Sequence, residues 1–405
     1  MHDAQGAFRH NKADYQEENT MKPFVLAGLL VCSLVAATAR AAGVTDREIV
    51  IGTVQDLSGP LAAFSRQARL GMEMKVDEIN AAGGIHGRKL KLVVEDHGYD
   101  PKKAVLATQK LVQKDRIFAM VGTIGTAPAL ASMPILFDKN IPHLFPLTAA
   151  REMFEPTHRL KWAQSSTYYD QIRAGVKHLV RQKGAKKVCT MHQDDDFGLE
   201  ILRGAEAGLK ELGLALAERT TYKRGATDFS SQIARLKDAG CDLVVLGTII
   251  RETIGAIGTA RKLGWNVDMI GPAAAYTELI HKLGGPAMNG FYATNTINVP
   301  YLDDASKNVR EWGQRYKERA KEDPAVFSVY GYQIIDLFGQ VAEKAGPKLG
   351  TDSFIGALES FSRARDMFGS DALSFSKTKH LGSNRARLSQ IVNGKWAPVT
   401  DYLTD

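Results

Sequence analysis

The chain predicts an α/β protein with two doubly wound parallel-sheet lobes. Short apolar runs alternate with amphipathic stretches of helical spacing, that beat occurs twice, and a tail of long helices ending in a strand follows. With 405 residues, 44% hydrophobic and 24% charged, the chain is longer than the ~250–300 residues at which a single core stops growing.

Residues 49–54 (IVIGTV) read as the first strand, apolar enough to be covered on both faces. A helix over 61–82 stops at Gly83-Gly84. A strand at 90–94 is followed by a helix over 101–114, opened by Asp100-Pro101 as N-cap and first helical residue. A strand at 117–121 and a helix at 127–138 extend the first set, with a short strand at 160–163. The beat resumes with a strand at 187–191, a helix at 199–212, a strand at 214–217 and a helix at 228–239. A strand at 242–246, a helix at 252–263 and a strand at 267–270 complete the second set. From 291 the rhythm changes to helices over 305–320, 326–344 and 353–360, then a strand at 386–392 with an Asn393-Gly394 turn. Such a tail returns to the earlier lobes.

Charge and cysteine usage exclude several function classes. The excess of 52 Lys+Arg over 45 Asp+Glu is spread thinly, without basic runs interleaved with aromatics, so nucleic acid is not an expected partner. Cys32, Cys189 and Cys241 form neither a disulfide framework nor a zinc spacing. Residues 1–20 are polar, whereas Met21, Lys22, the apolar run 24–37 and Ala39-Arg40-Ala41 have the form of a secretory signal peptide. Residues 1–41 are therefore expected to be an upstream extension plus a cleaved signal, with translation starting at Met21. The apolar run is short for a bilayer span, and Val31 before Cys32 argues against lipidation. In an oxidising compartment Cys189 and Cys241 can pair; each also adjoins a strand-like run, where a buried small residue is equally ordinary.

In doubly wound sheets, ligands bind beyond the carboxyl ends of the strands, where helix N-termini attract anions. The loops to inspect are 55–65, 122–126, 146–150, 193–198, 247–251 and 271–277. Gly122-Thr123-Ile124-Gly125-Thr126-Ala127-Pro128 lacks both G-x-G-x-x-G and the P-loop Gly-Lys-Ser/Thr. Its amides and hydroxyls suit a carboxylate, or Thr126 is simply an N-cap. Phe64 flanks a ligand or belongs to the core. Tyr168-Tyr169-Asp170 opens a helix, suited to stacking or an ordinary surface pair. Asp194-Asp195-Asp196-Phe197-Gly198 reads as an N-cap cluster rather than a metal site, since no further acid follows at calcium-loop spacing. G-x-S-x-G, H-E-x-x-H and a Cys with a nearby His are all absent, so no enzyme, metal or cofactor is expected.

The stretch 43–96 (GVTDREIVIGTVQDLSGPLAAFSRQARLGMEMKVDEINAAGGIHGRKLKLVVED) resembles the opening of the periplasmic branched-chain amino acid binding proteins of ABC transporters. Segments 122–131, 141–150, 187–198, 228–247 and 264–272 are similar to the family in the same order. The resemblance implies the periplasmic binding protein type I fold. Its N-terminal lobe would be 44–163 plus 291–368, its second lobe 164–290 plus 369–405, and three crossing segments would form the hinge. It also implies a periplasmic monomer that closes on a small organic acid and presents it to a membrane permease.

Carried over by position, the family's site falls on Phe64, on the carboxylate loop Thr123, Gly125, Thr126 and Ala127, and on Leu147, Thr148 and Ala149. Phe197 and either Thr248 or Ile249 complete it. The acid that pairs an amino acid's α-ammonium falls in 271–275 (GPAAA), where none stands; Glu278 is the nearest. A buried ammonium without a carboxylate costs several kcal/mol, so the expected ligand is a carboxylate lacking an amine. Phe64, Tyr168, Tyr169, Phe197 and Tyr276 are expected to line a slot for an aromatic or apolar acid, with short aliphatic or dicarboxylic acids second. Arg251 meets a second negative group or stands in solvent.

Overall fold

The computed structural model describes residues 41–403; the expected extension and signal peptide, Cys32 included, lie outside them apart from Ala41. Both sheets belong to one compact unit. The first sheet contains β1 (Glu48–Gln55), β2 (Lys89–Asp96), β3 (Ala119–Val121), β4 (His143–Leu144) and β5 (Lys161–Trp162). All pairings are parallel, in the order β2-β1-β3-β4-β5. Helices α1 (Ala62–Ala81), α2 (Pro101–Gln113) and α3 (Thr126–Asp138) connect these strands. Asp100 caps α2 as its sequence predicts, accepting from the Lys102 amide at 2.7 Å.

The second set runs α4 (Tyr168–Lys183), β6 (Val188–Gln193), α5 (Asp196–Glu211), β7 (Glu218–Tyr222), α6 (Ser230–Asp238), β8 (Leu243–Gly247), α7 (Ile250–Lys262), β9 (Asp268–Gly271), α8 (Glu278–Gly284) and β10 (Tyr292–Asn295). The tail adds α9 (Lys307–Ala320), α10 (Val326–Ala345), α11 (Thr351–Leu358), β11 (Ser362–Arg363), β12 (Leu373–Ser374), β13 (Arg387–Val392) and β14 (Lys395–Pro398). The second sheet has the order β14-β13-β10-β9-β8-β6-β7, parallel except for the antiparallel additions β13 and β14. Its last hairpin turns at Asn393 and Gly394, both with positive φ. Strands β11 and β12 pair as a separate ribbon.

Three expectations need correction. The strand placed at 214–217 is β7, at 218–222. Leu214 and Leu216 pack on the core as the connection, whereas ERTTY is a polar edge strand of alternating exposure. Strands β10 and β14 were not foreseen: β10 buries Thr294 and Asn295, which no hydrophobic pattern announces. The chain also stays in the second sheet through Asn295, so its departure comes after 295 rather than at 291.

The tail then packs on the first sheet's side. Gly71 of α1 faces Ser328 of α10, and a Cβ there would lie 2.0 Å from the Ser328 carbonyl oxygen. Only a residue without a side chain allows these helices to approach so closely. Phe338 of α10 and Phe354 of α11 join Phe118, Ile49 and Ile51 in the core beneath. In the second set, Cys189 of β6 and Cys241 before β8 are bonded, which decides between the two readings of that pair. Among the described residues no helix is long and apolar enough to cross a membrane.

Candidate functional site

The loops at the carboxyl ends of both sheets' strands enclose a cavity whose empty space, open mouth included, is about 680 Å³. From the first sheet's side come Leu61 and Phe64, Tyr99, Ile124 to Thr126, and Pro146 to Ala149. The second sheet's side contributes Tyr168 and Gln171, Phe197, Ile249, and Ala273 and Ala274. Gln164, Ser165, Thr296, Phe327 and Tyr330 complete the wall. No charged side chain stands among these residues.

Many expected positions meet here. Phe64 is both core and wall: it is 1% exposed and stacks on Phe327 at 3.9 Å. Thr126 and Thr148 share a hydroxyl–hydroxyl hydrogen bond of 2.7 Å. Gly125, with φ of 88°, is the N-cap of α3, so Thr126 is the first helical residue rather than the cap. A Cβ on Gly125 would lie 2.7 Å from the Tyr99 ring, so the glycine lets that ring close over the helix start. The first-turn amides of a helix have no intrahelical acceptor, and those of Thr126 and Ala127 occupy this position. Tyr168 meets Phe197 edge-on at 5.1 Å, and burial pushes its phenol pKa up. Asp195 caps α5, accepting from the Phe197 amide at 3.1 Å, as the N-cap reading of the Asp cluster requires.

Other expected positions lie elsewhere. Thr123 is fully buried behind the loop; its Oγ1 has no partner, and its carbonyl accepts from the Leu147 amide. Ala127 is outside the wall. Tyr169 lies beneath the Arg151 guanidinium, 4.0 Å from ring to cation, because its neighbour Tyr168 takes the inward side of the helix. Of the pair Thr248 and Ile249, only Ile249 lines the cavity; the Thr248 hydroxyl bonds that of Thr253 at 2.6 Å. Tyr276 packs on Trp396 at 4.8 Å and accepts from the Val299 amide, since the short helical turn at Ala273–Ala275 directs it away. Arg251 is exposed. Glu278 is 3% exposed, accepts from Gln67 Nε2 at 3.1 Å and stays outside the wall. Burial pushes its carboxyl pKa up.

The sequence reading missed Tyr99, Gln164, Ser165, Gln171, Thr296, Phe327 and Tyr330. Phe327 and Tyr330 stand three apart at the start of the predicted helix 326–344, a spacing that puts both on one face. Gln171 Oε1 accepts from the Ala273 amide at 2.9 Å and from the Thr294 hydroxyl at 3.1 Å, which ties α4 to the cavity's alanine wall.

Around the mouth, groups from the two sheets' sides meet directly. Arg224 donates to the Tyr99 carbonyl at 2.8 Å and to Asp195 at 2.7 Å, with its guanidinium 4.3 Å from the Tyr99 ring. Arg151 holds the buried Glu200 carboxylate through Nη2 at 2.9 Å and Nε at 3.0 Å.

A family model described as "Periplasmic binding protein" matches residues 48–395. The chain belongs to that family. Within it, the protein's kinship is to the branched-chain amino acid binding proteins of ABC transporters. The Leu/Ile/Val-binding protein of Escherichia coli K12 is 27% identical over 251 residues, 62% of this chain and 68% of the relative. Among solved structures, a fatty acid ABC transporter substrate-binding protein from Thermomonospora curvata superposes with a TM-score of 0.81. It is 22% identical and covers 90% of this chain and 94% of its own. A solute-binding protein from R. palustris, in complex with benzoate, gives 0.77 at 20% identity, covering 88% of this chain and 98% of its own. This periplasmic binding protein therefore shares its two-sheet architecture with receptors whose ligands differ widely.

Proposed function

We propose that this periplasmic binding protein captures a small organic carboxylate with an aromatic or apolar body and no α-amino group, and delivers it to an ABC permease. The observation that carries the proposal is the absence of charge from the described residues lining the cavity. An ammonium buried there would lack a counter-ion and cost several kcal/mol. A carboxylate is better served, because amides and the N-terminal end of α3 supply positive potential without a cation. One hydroxyl of the Thr126–Thr148 pair donates to the other, and the remaining hydroxyl proton can serve a ligand oxygen. Phe64, Tyr99, Tyr168, Phe197, Phe327 and Tyr330 offer an aromatic slot for the body.

In this reading the two sheets and their helices act as lobes that close on the ligand. The ligand shifts an open–closed equilibrium because it contacts both lobes only when they are shut. Arg224 and Arg151 add contacts across the mouth in the shut form. The protein binds and releases; no bond of the ligand is broken. Structural neighbours are named for benzoate and a fatty acid and others for isoleucine and valine, and the curated relatives' names make leucine the competitor, so the uncharged wall carries the choice.

Isothermal titration of ligand-stripped protein with benzoates, phenylpropanoates, fatty acids and leucine tests the proposal. An amine-free acid should bind tightest, and its thermal stabilisation should rise with concentration. Leucine as the tightest ligand would overturn it.

A further inference from the structure

Thr296 and Tyr330 stand in the cavity's wall. With Gln164 and Ser165, these residues also wall a second, much smaller space. That chamber lies among the stretches by which the chain passes between the two sheets, and Arg363, Gln333, Asp371 and Arg385 reach it from the tail.

Arg363 is the least satisfied group in it. Its side chain is 13% exposed, and its Nε is buried without a partner. Its ion pairs among the described residues are long, 3.5 Å to Asp336 and 3.8 Å to Asp366. Both carboxylates have closer partners. Asp336 takes Lys75 at 2.8 Å and Gln340 at 2.6 Å. Asp366 takes Gln333 at 2.6 Å and the Phe368 amide at 3.0 Å. Asp371, the acid of the chamber itself, is engaged by Ser383 at 2.6 Å and Arg385 Nε at 2.8 Å. Gln164 Oε1, at the junction of the two spaces, is also buried without a partner. A guanidinium carries five donors in a fixed fork, and buried polar groups are ordinarily satisfied. Arg363 thus brings unused donors to the wall of a chamber that shares Gln164, Ser165, Thr296 and Tyr330 with the ligand cavity.

We propose that this chamber receives the far end of an elongated ligand and that this end is a second carboxylate, taken by Arg363. The proposal rests on the reading that an organic acid fills the main cavity, and it narrows that class to long diacids. Arg363 is then the residue that sets specificity for the distal group.

Two ligand pairs separate the two readings by titration calorimetry on the full, ligand-stripped chain. The first is 3-phenylpropanoate and 3-(4-carboxyphenyl)propanoate; the second is phenylalanine and 4-carboxyphenylalanine. The ratio within a pair reads the chamber, and the comparison between pairs reads the amine. The diacid should bind roughly tenfold or more tightly than its monoacid in the wild type. Arg363→Gln should bring that ratio to within about threefold of unity, and Arg363→Lys should keep part of it. Effects of either substitution on packing act on both ligands of a pair and cancel in the ratio. If Arg363→Gln does not fold, the ratios of the wild type and Arg363→Lys decide. Equal affinities within the wild-type pairs would mean that the chamber holds only water, and would overturn the proposal, as would a ratio unmoved in Arg363→Gln. A tighter amine pair would overturn the amine-free reading and leave the ratio to judge Arg363. Failure of all four compounds to bind would overturn both.

Discussion

Inside the cleft the described walls carry rings, hydroxyls and amides without charge, whereas its rim is bound by Arg224 to the Tyr99 carbonyl and by Arg151 to Glu200. The two regions face different solvent histories. An interior that must lose its water for an apolar body pays heavily for any charge left unmatched. The arginines at the mouth, Arg224 and Arg151, keep partial access to water, so each can reach across it at a smaller desolvation cost than a cation inside. Under the proposed function, closure energy would come from the rim irrespective of the ligand, while the interior would decide which ligand triggers it.

The largest expected effect lies outside both regions and calibrates them. The Cys189–Cys241 bond closes a loop of 52 residues, a constraint on the unfolded chain worth about 4 kcal/mol in the chain-entropy account. Replacing both cysteines by alanine should lower the melting temperature strongly and leave ligand affinity within about twofold. An equal loss of affinity would mean that stability and binding are not separable in this fold.

Next comes the rim. Glu200 is 1% exposed and Arg151 28% exposed at the side chain, so their removals are not equivalent. Arg151→Ala leaves the buried carboxylate with Arg203 at 3.4 Å as its cation and should cost about 2–3 kcal/mol. Glu200→Ala leaves an arginine that can turn to water and should cost about 1 kcal/mol. Chemical denaturation measures both. The same loss from both substitutions would contradict the asymmetry.

The interior should respond less in stability and more in binding. Thr126→Ala and Thr148→Ala should each weaken binding by about 1–3 kcal/mol, as expected when a charged acceptor loses a donor. Because the two hydroxyls bond each other, the double substitution should cost less than the sum. Wild-type affinity in both single variants would remove the carboxylate loop from the proposed site.

What the sequence disclosed follows the same division. Strands built around apolar runs, such as β1 and β8, announce themselves because both faces are covered, and that topology fixes which loops reach the cleft. Edge strand β7 and the polar β10 escape because their residues answer to solvent and to hydrogen bonds rather than to hydrophobic burial. At the site, loop membership was legible but side-chain direction was not. Tyr168 and Tyr169 are adjacent, and only the orientation of α4 decides that the first faces in. Tyr99 enters the cavity from a turn where its φ is 58°, a conformation nothing in the residue type announces. Phe327 and Tyr330 arrive from a tail whose docking is a tertiary event.

Glu278 supplies the smallest change in binding and the sharpest test of the interior. It is the nearest acid in sequence to Ala273 and Ala274 of the wall, yet it sits outside the cavity, with Gln67 as partner. Burial raises its carboxyl pKa above the ordinary value, with weaker opposing contributions from its hydrogen bonds and Lys282. The sign follows from proton uptake: between the unfolded and the higher folded pKa, the native state holds the extra proton. Stability on this account is greatest below the unfolded value and is lost as pH rises through the folded one. Glu278→Gln removes the ionisation, so it should raise stability at pH 7 and flatten the rise on acidification, read from melting temperatures between pH 5 and 8. Affinity for an amine-free acid should stay within about twofold. If affinity instead falls sharply, Glu278 reaches the ligand and a positive group is bound, and the contrast between an uncharged interior and a charged rim fails at its centre.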